Sequence, residues 1–525
     1  MRDFQRPGRS AVFAENGMCA TSHPLAAQSA INILQQGGNA MDAAIAGAVL
    51  LGFCEPQMTG LGGDCFVLLS PAGSDDIHAL NGSGHAAQHA SAENLRAQGH
   101  QTVPVASAHA VSVPGAVGAF CQLSQDWGAL GLDRVLAPAL PSAAAGVPVA
   151  PRVALDWQKD QSRLQTHGLR FFLPEGTAPK AGQMFRAPGQ ADVLRRIAKN
   201  GAKAFYEGEV ADDMLQTLRA MGGVHQAEDF ASEKPDYTTP ISGDYKGTEL
   251  VEHPPNTQGA TAILMLNMLS HFNLDGLDPF GTQRTHIEAE IAKLAYDARN
   301  RFIADPRHMA REDYLTDPKT AAALAALVNP ASVIRSVDRI TETVHKDTIY
   351  ITVVDKDRMA VSLIYSIFNG FGSGIASEKF GILFQNRGAG FNLTPGHPNE
   401  LGGGKRPMHT IIPGMLRQNQ RVLMPFGVMG GQYQSNGHAR FVSNMIDFDM
   451  DPQAAIDAPR SFFENGTLNL ETGYDPKTAA ELTDLGHTVG WADAPIGGAQ
   501  AIECHASGVL EGASDPRKDG CALGY

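Results

Sequence analysis

The chain of 525 residues contains few cysteines, and none of them has the spacing of a metal ligand. The six are Cys19, Cys54, Cys65, Cys121, Cys504 and Cys521. No Cys-x-x-Cys pair occurs, which argues against a zinc-finger type of site and against a disulfide framework in a chain of this length. His85 and His89 have the spacing of two ligands on one helix, but no glutamate is adjacent to them. We therefore predict buried thiols, no metal and no cofactor.

Long apolar runs and basic clusters are also missing. The longest apolar stretch, residues 43–53, is too short to cross a bilayer, and residues 1–8 lack the apolar core of a secretory signal. The formal net charge is −14 and no run is rich in lysine or arginine, which disfavours a polyanionic partner. We therefore predict a soluble, cytoplasmic protein that binds no nucleic acid and no membrane.

The hydrophobic pattern predicts helices packed on antiparallel sheets. A first helix is expected to begin at Pro24 with Ser22 as its N-cap, and a second one, apolar on every side and therefore buried, to cover residues 39–53. Residues 114–302 are expected to be mainly helical, and the chain from Thr348 onward to form short strands and glycine turns. This mixture indicates an α+β class of fold.

Thr348 opens the most distinctive segment of the sequence. Residues 347–355 and 359–366 are rich in β-branched residues and flank the charged turn 356–358, a pattern typical of two paired strands. If the peptide bond between Asp347 and Thr348 were cut, Thr348 would carry a hydroxyl and a free α-amine on one Cα. Such a residue supplies a nucleophile and a general base together.

Further motifs accompany Thr348 in a fixed order along the chain. They are residues 37–44, 55–64, 112–115, 254–259 and 293–296 before it, and 405–408, 430–431 and 512–517 after it. Each motif alone is weak, but in this order they are specific. With them, the chain resembles the γ-glutamyltranspeptidase family of N-terminal-nucleophile hydrolases from near residue 20 to its end.

The resemblance implies a four-layer αββα sandwich that is made as a proenzyme. The chain would cut itself between Asp347 and Thr348 into a large subunit, 1–347, and a small subunit, 348–525, which stay together as one αββα unit. Whether such heterodimers pair into a dimer is left open.

The resemblance also implies the catalytic residues. Thr348 would be the nucleophile that attacks a small-molecule amide substrate, and Ser366 would support its hydroxyl. The backbone N–H groups of Gly430 and Gly431 would form the oxyanion hole, where loss of one donor typically costs on the order of 10²–10³ in rate.

The substrate-binding positions depart from the family pattern. Typical members hold a glutamyl group with an arginine, an asparagine, an aspartate and a pair of serines. The residues assigned to these positions here are Asn81, Phe368 with Asn369 adjacent, Gly390, and the pair His409 and Thr410. Burying an α-ammonium or an α-carboxylate without a charged partner is costly. We therefore expect glutathione to be a poor substrate.

The remaining basic residues favour a smaller acidic substrate. Arg387, Arg406 and His409 are expected near the pocket, although Arg406 is also placed to brace the fold. An acid amide without an α-amine, such as oxamate, fits this set, and a cephalosporin-type acyl group resting on Phe368 is the bulkier alternative. A short segment between residues 391 and 405 favours hydrolysis over acyl transfer.

Two other functions stay open at this point. One is a γ-glutamyl hydrolase or transferase that acts on glutathione-like substrates through a rearranged pocket. The other is a non-processing binding protein with the same fold, which an uncut chain would indicate.

Overall fold

Two seven-stranded antiparallel sheets face each other in this protein, and helices cover the outer surface of both. The computed structural model describes residues 8–311, 313–334 and 348–525. The arrangement is the four-layer αββα sandwich that the resemblance implies. Within these three ranges, no helix combines the length and the apolar character that a membrane span requires.

The strands come from distant parts of the chain. In chain order they are β1 (Val12–Ala14), β2 (Met18–Thr21), β3 (Asp64–Ser70), β4 (His78–Gly82), β5 (Val147–Pro148), β6 (Met184–Phe185), β7 (Asp236–Thr238), β8 (Ile241–Tyr245), β9 (Thr248–Glu252), β10 (Ile349–Val354), β11 (Ala360–Ser366), β12 (Gly414–Gln418), β13 (Arg421–Met429), β14 (Ser461–Glu464), β15 (Thr467–Leu470), β16 (Val489–Trp491), β17 (Gly498–Cys504), β18 (Leu510–Ser514) and β19 (Cys521–Gly524).

The two large sheets have the strand orders β1-β18-β17-β13-β12-β9-β8 and β19-β2-β10-β11-β3-β4-β7. Each order mixes strands that precede Thr348 with strands that follow it. Two small sheets, β14-β15-β16 and β5-β6, lie outside the sandwich sheets.

The helices connect these strands and form the outer layers. In chain order they are α1 (Pro24–Gln35), α2 (Ala40–Cys54), α3 (Ala92–Ala97), α4 (Ala116–Trp127), α5 (Leu132–Leu136), α6 (Ala139–Ala145), α7 (Pro151–Asp160), α8 (Thr166–Phe172), α9 (Pro188–Asn200), α10 (Lys203–Tyr206), α11 (Glu209–Ala220), α12 (Ala227–Ala231), α13 (Gly259–Leu269), α14 (Thr282–Phe302), α15 (Pro318–Ala325), α16 (Gln434–Phe448), α17 (Pro452–Asp457) and α18 (Pro476–Asp484). Short 3-10 turns cover Ala108–Ala110, Gln161–Arg163, Pro306–His308, Arg387–Gly390 and Gly431–Tyr433.

Helix α2 lies on the outer face of the sheet that contains β10 and β11. It begins with a capping box, in which the Asn39 side chain accepts from the Asp42 N–H and the Asp42 carboxylate accepts from the Asn39 N–H, each at 3.1 Å. Every residue from Ala40 to Cys54 is buried, as the apolar pattern predicts. Helices α13, α14 and α16 form the opposite outer layer with their own apolar core.

A smaller apolar cluster fills the space between the two sheets. It consists of Phe66, Tyr350, Ile364, Ile411 and Met429, all buried. Tyr350 and Ile364 alternate along their strands with residues that face α2, because successive side chains of a strand point to opposite faces. Thr348 and Ser366 share the parity of Tyr350 and Ile364, so their side chains also face the second sheet.

The hairpin of β10 and β11 is regular from Ile349, which pairs with Tyr365, to Val354, which pairs with Ala360. Its turn is stabilised by Asp355, whose Oδ1 accepts from the N–H groups of Asp357 and Met359 at 3.0 Å. The predicted pair of strands is therefore confirmed.

One local prediction is wrong. The N-cap of α1 is His23, whose side chain accepts from the Leu25 N–H at 3.2 Å, whereas the Ser22 hydroxyl is bonded to the buried Glu55. Residues 114–302 are mainly helical, as predicted, and they also contain the short strands β5 to β9, which the hydrophobic pattern did not indicate. All six cysteines are free thiols; four of them are buried, as predicted, whereas Cys121 and Cys521 are half-buried.

Candidate active site

Thr348 lies immediately before β10 and is buried between the sheets. It stands opposite Ser366, the last residue of β11, in continuation of the Ile349–Tyr365 register. The Thr348 Oγ1 and the Ser366 Oγ are 3.4 Å apart. The structure therefore brings together the two hydroxyls that the sequence singles out.

A third polar residue continues this cross-strand row. Ser366 pairs in register with Asp64, the first residue of β3, on the strand that flanks β11 on the other side. Directly paired residues of antiparallel strands project to the same face with Cβ atoms about 4.5–5.5 Å apart. Thr348, Ser366 and Asp64 consequently form a row that faces the second sheet.

Arg387 holds Ser366 from a 3-10 turn and is fully buried. Its guanidinium donates to the Ser366 Oγ at 3.3 Å and to the Thr410 Oγ1 at 3.2 Å, and it lies 4.1 Å from the centre of the Phe368 ring. Burial lowers the pKa of Arg387 to about 9, with Asp64 acting in the opposite sense. The guanidinium therefore carries its charge at neutral pH.

Asp64 and His409 lie together beside this guanidinium, and both are fully buried. The Asp64 Oδ1 accepts from the N–H groups of Gly84 at 2.9 Å and Gly115 at 3.3 Å, and its Oδ2 is 3.6 Å from the His409 Nε2. Burial raises the pKa of Asp64 to about 7, although Arg387 opposes the shift. Burial and Arg387 hold the pKa of His409 well below its usual value, so the imidazole is neutral.

Gly430 and Gly431 follow β13 and lead through a 3-10 turn into α16. Both have backbone angles that favour glycine, with φ of +129° and +56°. A Cβ on Gly430 would also lie only 2.9 Å from the Gly497 Cα. The N-terminal end of a 15-residue helix orients N–H dipoles toward this turn, which suits a site that stabilises negative charge.

Asn81 and Asn369, predicted to contact substrate, are both buried. The Asn81 side chain donates to the Asn256 Oδ1 at 2.8 Å and accepts from Ser83, so its amide already has protein partners. The backbone N–H of Asn369 donates to the Asn386 Oδ1 at 3.2 Å, whereas the Asn369 Oδ1 has no hydrogen-bond partner among the described residues.

Phe368 and Thr410 contact Arg387, and Gly390 ends the 3-10 turn that begins at Arg387. Phe368 has a left-handed backbone, with φ of +79°, and its ring covers the guanidinium. A Cβ on Gly390 would lie 2.4 Å from the Met408 carbonyl, which explains why a larger residue does not fit there. Thr410 binds Arg387 through its hydroxyl.

Three further predicted features are not part of this cluster. Arg406 braces the fold through the Ser83 carbonyl at 2.9 Å and an ion pair with Asp236. His85 is bonded to Glu233, whereas His89 is exposed. Asp347, the residue before the predicted cut, lies outside the described residues.

Two residues that sequence reasoning gave no role organise the site. Asp64 is the first, and its position follows from the pairing of its strand with that of Ser366, about 300 residues further along the chain. Gln258 is the second: its Nε2 donates to the carbonyls of Thr410 at 2.6 Å and Gly431 at 3.0 Å. Both residues lie within motifs that carry the family resemblance, and these motifs are the sequence signal that indicates them.

A cavity of about 240 Å³ adjoins this region. Gly430, Gly497, Arg152 and Lys518 are among its lining residues, whereas Thr348 is not. The cavity therefore touches the predicted oxyanion hole and not the row of Thr348, Ser366 and Asp64.

Known structures share this fold. A cephalosporin acylase from Bacillus halodurans superposes with a TM-score of 0.92 at 36% sequence identity, over 100% of this chain and 99% of that one. A gamma-glutamyltranspeptidase from Helicobacter pylori superposes with a TM-score of 0.57 at 25% identity, over 63% of this chain and 95% of that one. Fold and site together define an N-terminal-nucleophile hydrolase of the amidohydrolase type.

Related sequences define the family. The gamma-glutamyltranspeptidase family model matches residues 26–525. An oxamate amidohydrolase proenzyme from Klebsiella pneumoniae is 33% identical over 535 residues, covering 98% of this chain and 100% of that protein. A glutathione hydrolase-like YwrD proenzyme from Bacillus subtilis is 32% identical over 526 residues, covering 98% and 99%. The chain belongs to the γ-glutamyltranspeptidase family.

Proposed function

We propose that this chain is a self-processing amidohydrolase that hydrolyses a small, carboxylate-bearing amide of the oxamate type through an acyl-Thr348 intermediate. The environment of Arg387 carries the proposal. The guanidinium is buried against Ser366, and within the described ranges no carboxylate lies at ion-pair distance from it, because Asp64 acts on its charge from further away. A buried cation is costly unless an anion compensates it, and a substrate carboxylate would do so.

Processing begins with the Thr348 hydroxyl. Its oxygen attacks the carbonyl carbon of Asp347, the peptide C–N bond breaks, and the departing nitrogen takes up a proton to become the free α-amine. Water then hydrolyses the resulting ester, which returns the hydroxyl to Thr348 and leaves a carboxylate on Asp347. The products are the subunits 1–347 and 348–525, and the relatives named as proenzymes support this step.

Catalysis uses the same hydroxyl together with the new amine. An α-amine has an unperturbed pKa of about 7.7–8.0, and the nearby Arg387 charge favours its neutral form, which a general base requires. The amine accepts the hydroxyl proton while the oxygen attacks the substrate carbonyl, and the N–H groups of Gly430 and Gly431 stabilise the oxyanion. The leaving amine takes the proton, and water releases the acyl group as an acid.

The relatives support a small acyl amide as the substrate but differ in the identity of that amide. They include an oxamate amidohydrolase, a glutathione hydrolase-like protein and a cephalosporin acylase. The buried cation at Arg387 favours a substrate that carries a carboxylate. The Phe368 ring covers that cation on one side, and a bulky acyl group that rests on this ring is the alternative substrate.

A γ-glutamyl hydrolase or transferase is the second candidate, and one observation favours it. The Asp64 Oδ2 is a buried carboxylate oxygen without a hydrogen-bond partner among the described residues. Such an oxygen could receive the α-ammonium of a glutamyl group. This candidate requires Asp64 to be ionised when the substrate binds.

The test begins with the intact mass of freshly purified protein and the N-terminal sequence of each fragment. Two associated pieces, the smaller beginning at Thr348, are expected. A single uncut chain would contradict the proposal and favour a binding protein.

The processed enzyme is then assayed with oxamate, glutathione and a glutaryl amide, with and without glycylglycine as acceptor. The highest kcat/KM is expected for oxamate, without stimulation by the acceptor. An ordinary kcat/KM for glutathione that glycylglycine increases would establish the second candidate instead.

A further inference from the structure

Four buried polar atoms beside Ser366 have no hydrogen-bond partner among the described residues. They are the Asp64 Oδ2, the Arg387 Nε, and the His409 Nδ1 and Nε2. Asp64, Arg387 and His409, here called the Asp64 cluster, are all fully buried. Buried polar atoms are nearly always satisfied in folded proteins, and several orphans in one place indicate a site that a polar ligand or water completes.

The strand of Asp64, β3, is separated from the strand that follows the nucleophile, β10, by β11 alone. Asp64 is the register partner of Ser366, and Arg387 donates directly to the Ser366 Oγ. The separation of 3.6 Å between the Asp64 Oδ2 and the His409 Nε2 is too long for a good hydrogen bond, so neither atom compensates the other. An acyl group bound to Thr348 would therefore extend toward a guanidinium and a carboxylate that are not ion-paired.

We propose that Asp64 is a specificity-determining residue, which sets the net charge of the Asp64 cluster and thereby its affinity for an anionic acyl group. This inference rests on the proposed function. His409 is neutral and Arg387 is charged, so the cluster carries one positive charge when Asp64 is protonated and none when Asp64 is ionised. A substrate carboxylate is attracted to the cluster when Asp64 is protonated. When Asp64 is ionised, the substrate carboxylate is repelled by the Asp64 carboxylate.

The surroundings of Asp64 place this change near neutral pH. Burial raises its pKa to about 7 and Glu233 adds to the shift, whereas Arg387 and the N–H groups of Gly84 and Gly115 act to lower it. The other titratable groups that interact with Asp64 are Cys65, Tyr206 and Tyr365, whose pKa values burial raises, so they stay neutral. Asp64 is protonated below about pH 7, and anion binding should therefore weaken as the pH rises through 7.

Oxamate and oxamide provide the probes for this effect. They differ in charge but not in size, because a carboxylate in one replaces a carboxamide in the other. Both are attacked by Thr348, so titration of its amine cancels in the ratio of their kcat/KM values. For the wild-type enzyme, the oxamate-to-oxamide ratio is expected to fall roughly 10- to 100-fold between pH 6 and pH 8.5, as expected for one charge a few ångströms away.

Asp64→Asn is the informative variant, since asparagine keeps an oxygen for the Gly84 and Gly115 N–H groups. It should hold the ratio at the acid-side value of the wild type across the pH range. Glu55→Gln is the matched control: burial raises the pKa of Glu55 to about 7 as well, but its hydrogen-bond partner is Ser22. The control should keep the wild-type profile.

Three results would overturn the inference. They are a wild-type ratio that does not change with pH, a ratio that rises with pH, and an Asp64→Asn enzyme that keeps the wild-type dependence. The first two need no variant, so they decide the question even if Asp64→Asn does not fold. If oxamate is hydrolysed with a flat ratio, the proposed function stands and only the role of Asp64 falls.

If the processed enzyme hydrolyses neither compound, the proposed function falls. Calorimetric titration of oxamate and oxamide then measures binding directly, because neither is consumed. A preference for oxamate that weakens from pH 6 to pH 8.5 would still support Asp64, and equal or pH-independent affinities would overturn its role.

Discussion

Asp355 accepts a hydrogen bond from the backbone N–H of Ala40 at 2.9 Å, so the turn of the nucleophile hairpin is fixed to the first residue of α2. The same carboxylate accepts from the N–H groups of Asp357 and Met359. One side chain thus satisfies a helix N-terminus and a β-turn, and it fixes how the hairpin lies against its supporting helix.

Replacing Asp355 by alanine should therefore destabilise the fold. The buried backbone donors of Ala40 and Met359 and the part-buried donor of Asp357 lose their acceptor, and a buried unsatisfied donor costs about 1–3 kcal/mol. We expect a loss of roughly 2–5 kcal/mol in the free energy of unfolding, measured by chemical denaturation. Asp357→Ala in the same turn is the control and should change stability little, because Asp357 contributes its backbone N–H to the turn and its side chain is exposed.

Removing the hydroxyl of Thr348 should stop processing without unfolding the protein. Thr348→Ala is expected to purify as one uncut chain of about the calculated 55.7 kDa, seen by intact mass. Thr352→Ala is the matched control, since Thr352 is a buried threonine of the same strand that faces the same side and donates to the Val361 carbonyl. It should be cut normally. A cut Thr348→Ala chain would show that another residue is the nucleophile.

Alanine at Gly430 should impair both stability and rate. The residue would be strained at φ of +129°, and its Cβ would meet the Gly497 backbone, which would displace the N–H groups of the proposed oxyanion hole. We expect a fall in kcat on the order of 10²-fold or more. Gly396→Ala separates the two effects, because Gly396 also has a positive φ, of +76°, but its Cβ would meet open space. That variant should lose some stability and keep kcat.

Glutamine at Glu55 should stabilise the protein in a pH-dependent way. The pKa of this carboxyl is raised from 4.5 to about 7 on folding, so the folded state binds more protons between these values, and its stability falls as the pH rises through them. The gain from Glu55→Gln should be absent near pH 4.5 and should reach on the order of 3 kcal/mol above pH 7. Thermal melting of both proteins at pH 4.5 and pH 8 measures it.

Glu471 provides the opposite case for comparison. Its pKa is lowered through Arg517 and Arg460 although burial acts against the shift, so its ionised form stabilises the fold above its unfolded pKa. Glu471→Gln should therefore destabilise the protein at pH 8, with a smaller loss only in acid. A stabilising Glu471→Gln, or a Glu55→Gln effect that does not change with pH, would contradict this electrostatic account.

Local features of the fold could be predicted from the sequence because their causes are local. Asn39 and Glu55-Pro56 delimit α2, and the β-branched runs around Thr348 predict its hairpin. The cap of α1 could not be predicted in this way, because Ser22 is engaged by a glutamate 33 residues away. A tertiary contact there overrides the local preference.

The site could be predicted only in part, for a related reason. Thr348 and Ser366 belong to one hairpin, and their approach follows from its register. Asp64 joins them through a pairing of distant strands, and Arg387, which resembles an ordinary loop arginine in the sequence, is buried by elements far along the chain. Charge placed in the interior by tertiary structure leaves no local pattern.

The mixing of strands in both sheets has a consequence for the lifetime of the processed protein. In one sheet, for example, β10, β11 and β19 lie among β2, β3, β4 and β7. The proposed cut would therefore divide the chain into two fragments that each supply strands to both sheets. Refolding of the precursor is a unimolecular event, whereas recovery of the cut protein would require two fragments to meet and would depend on their concentration. An enzyme matured in this way would have to endure by unfolding slowly rather than by refolding readily.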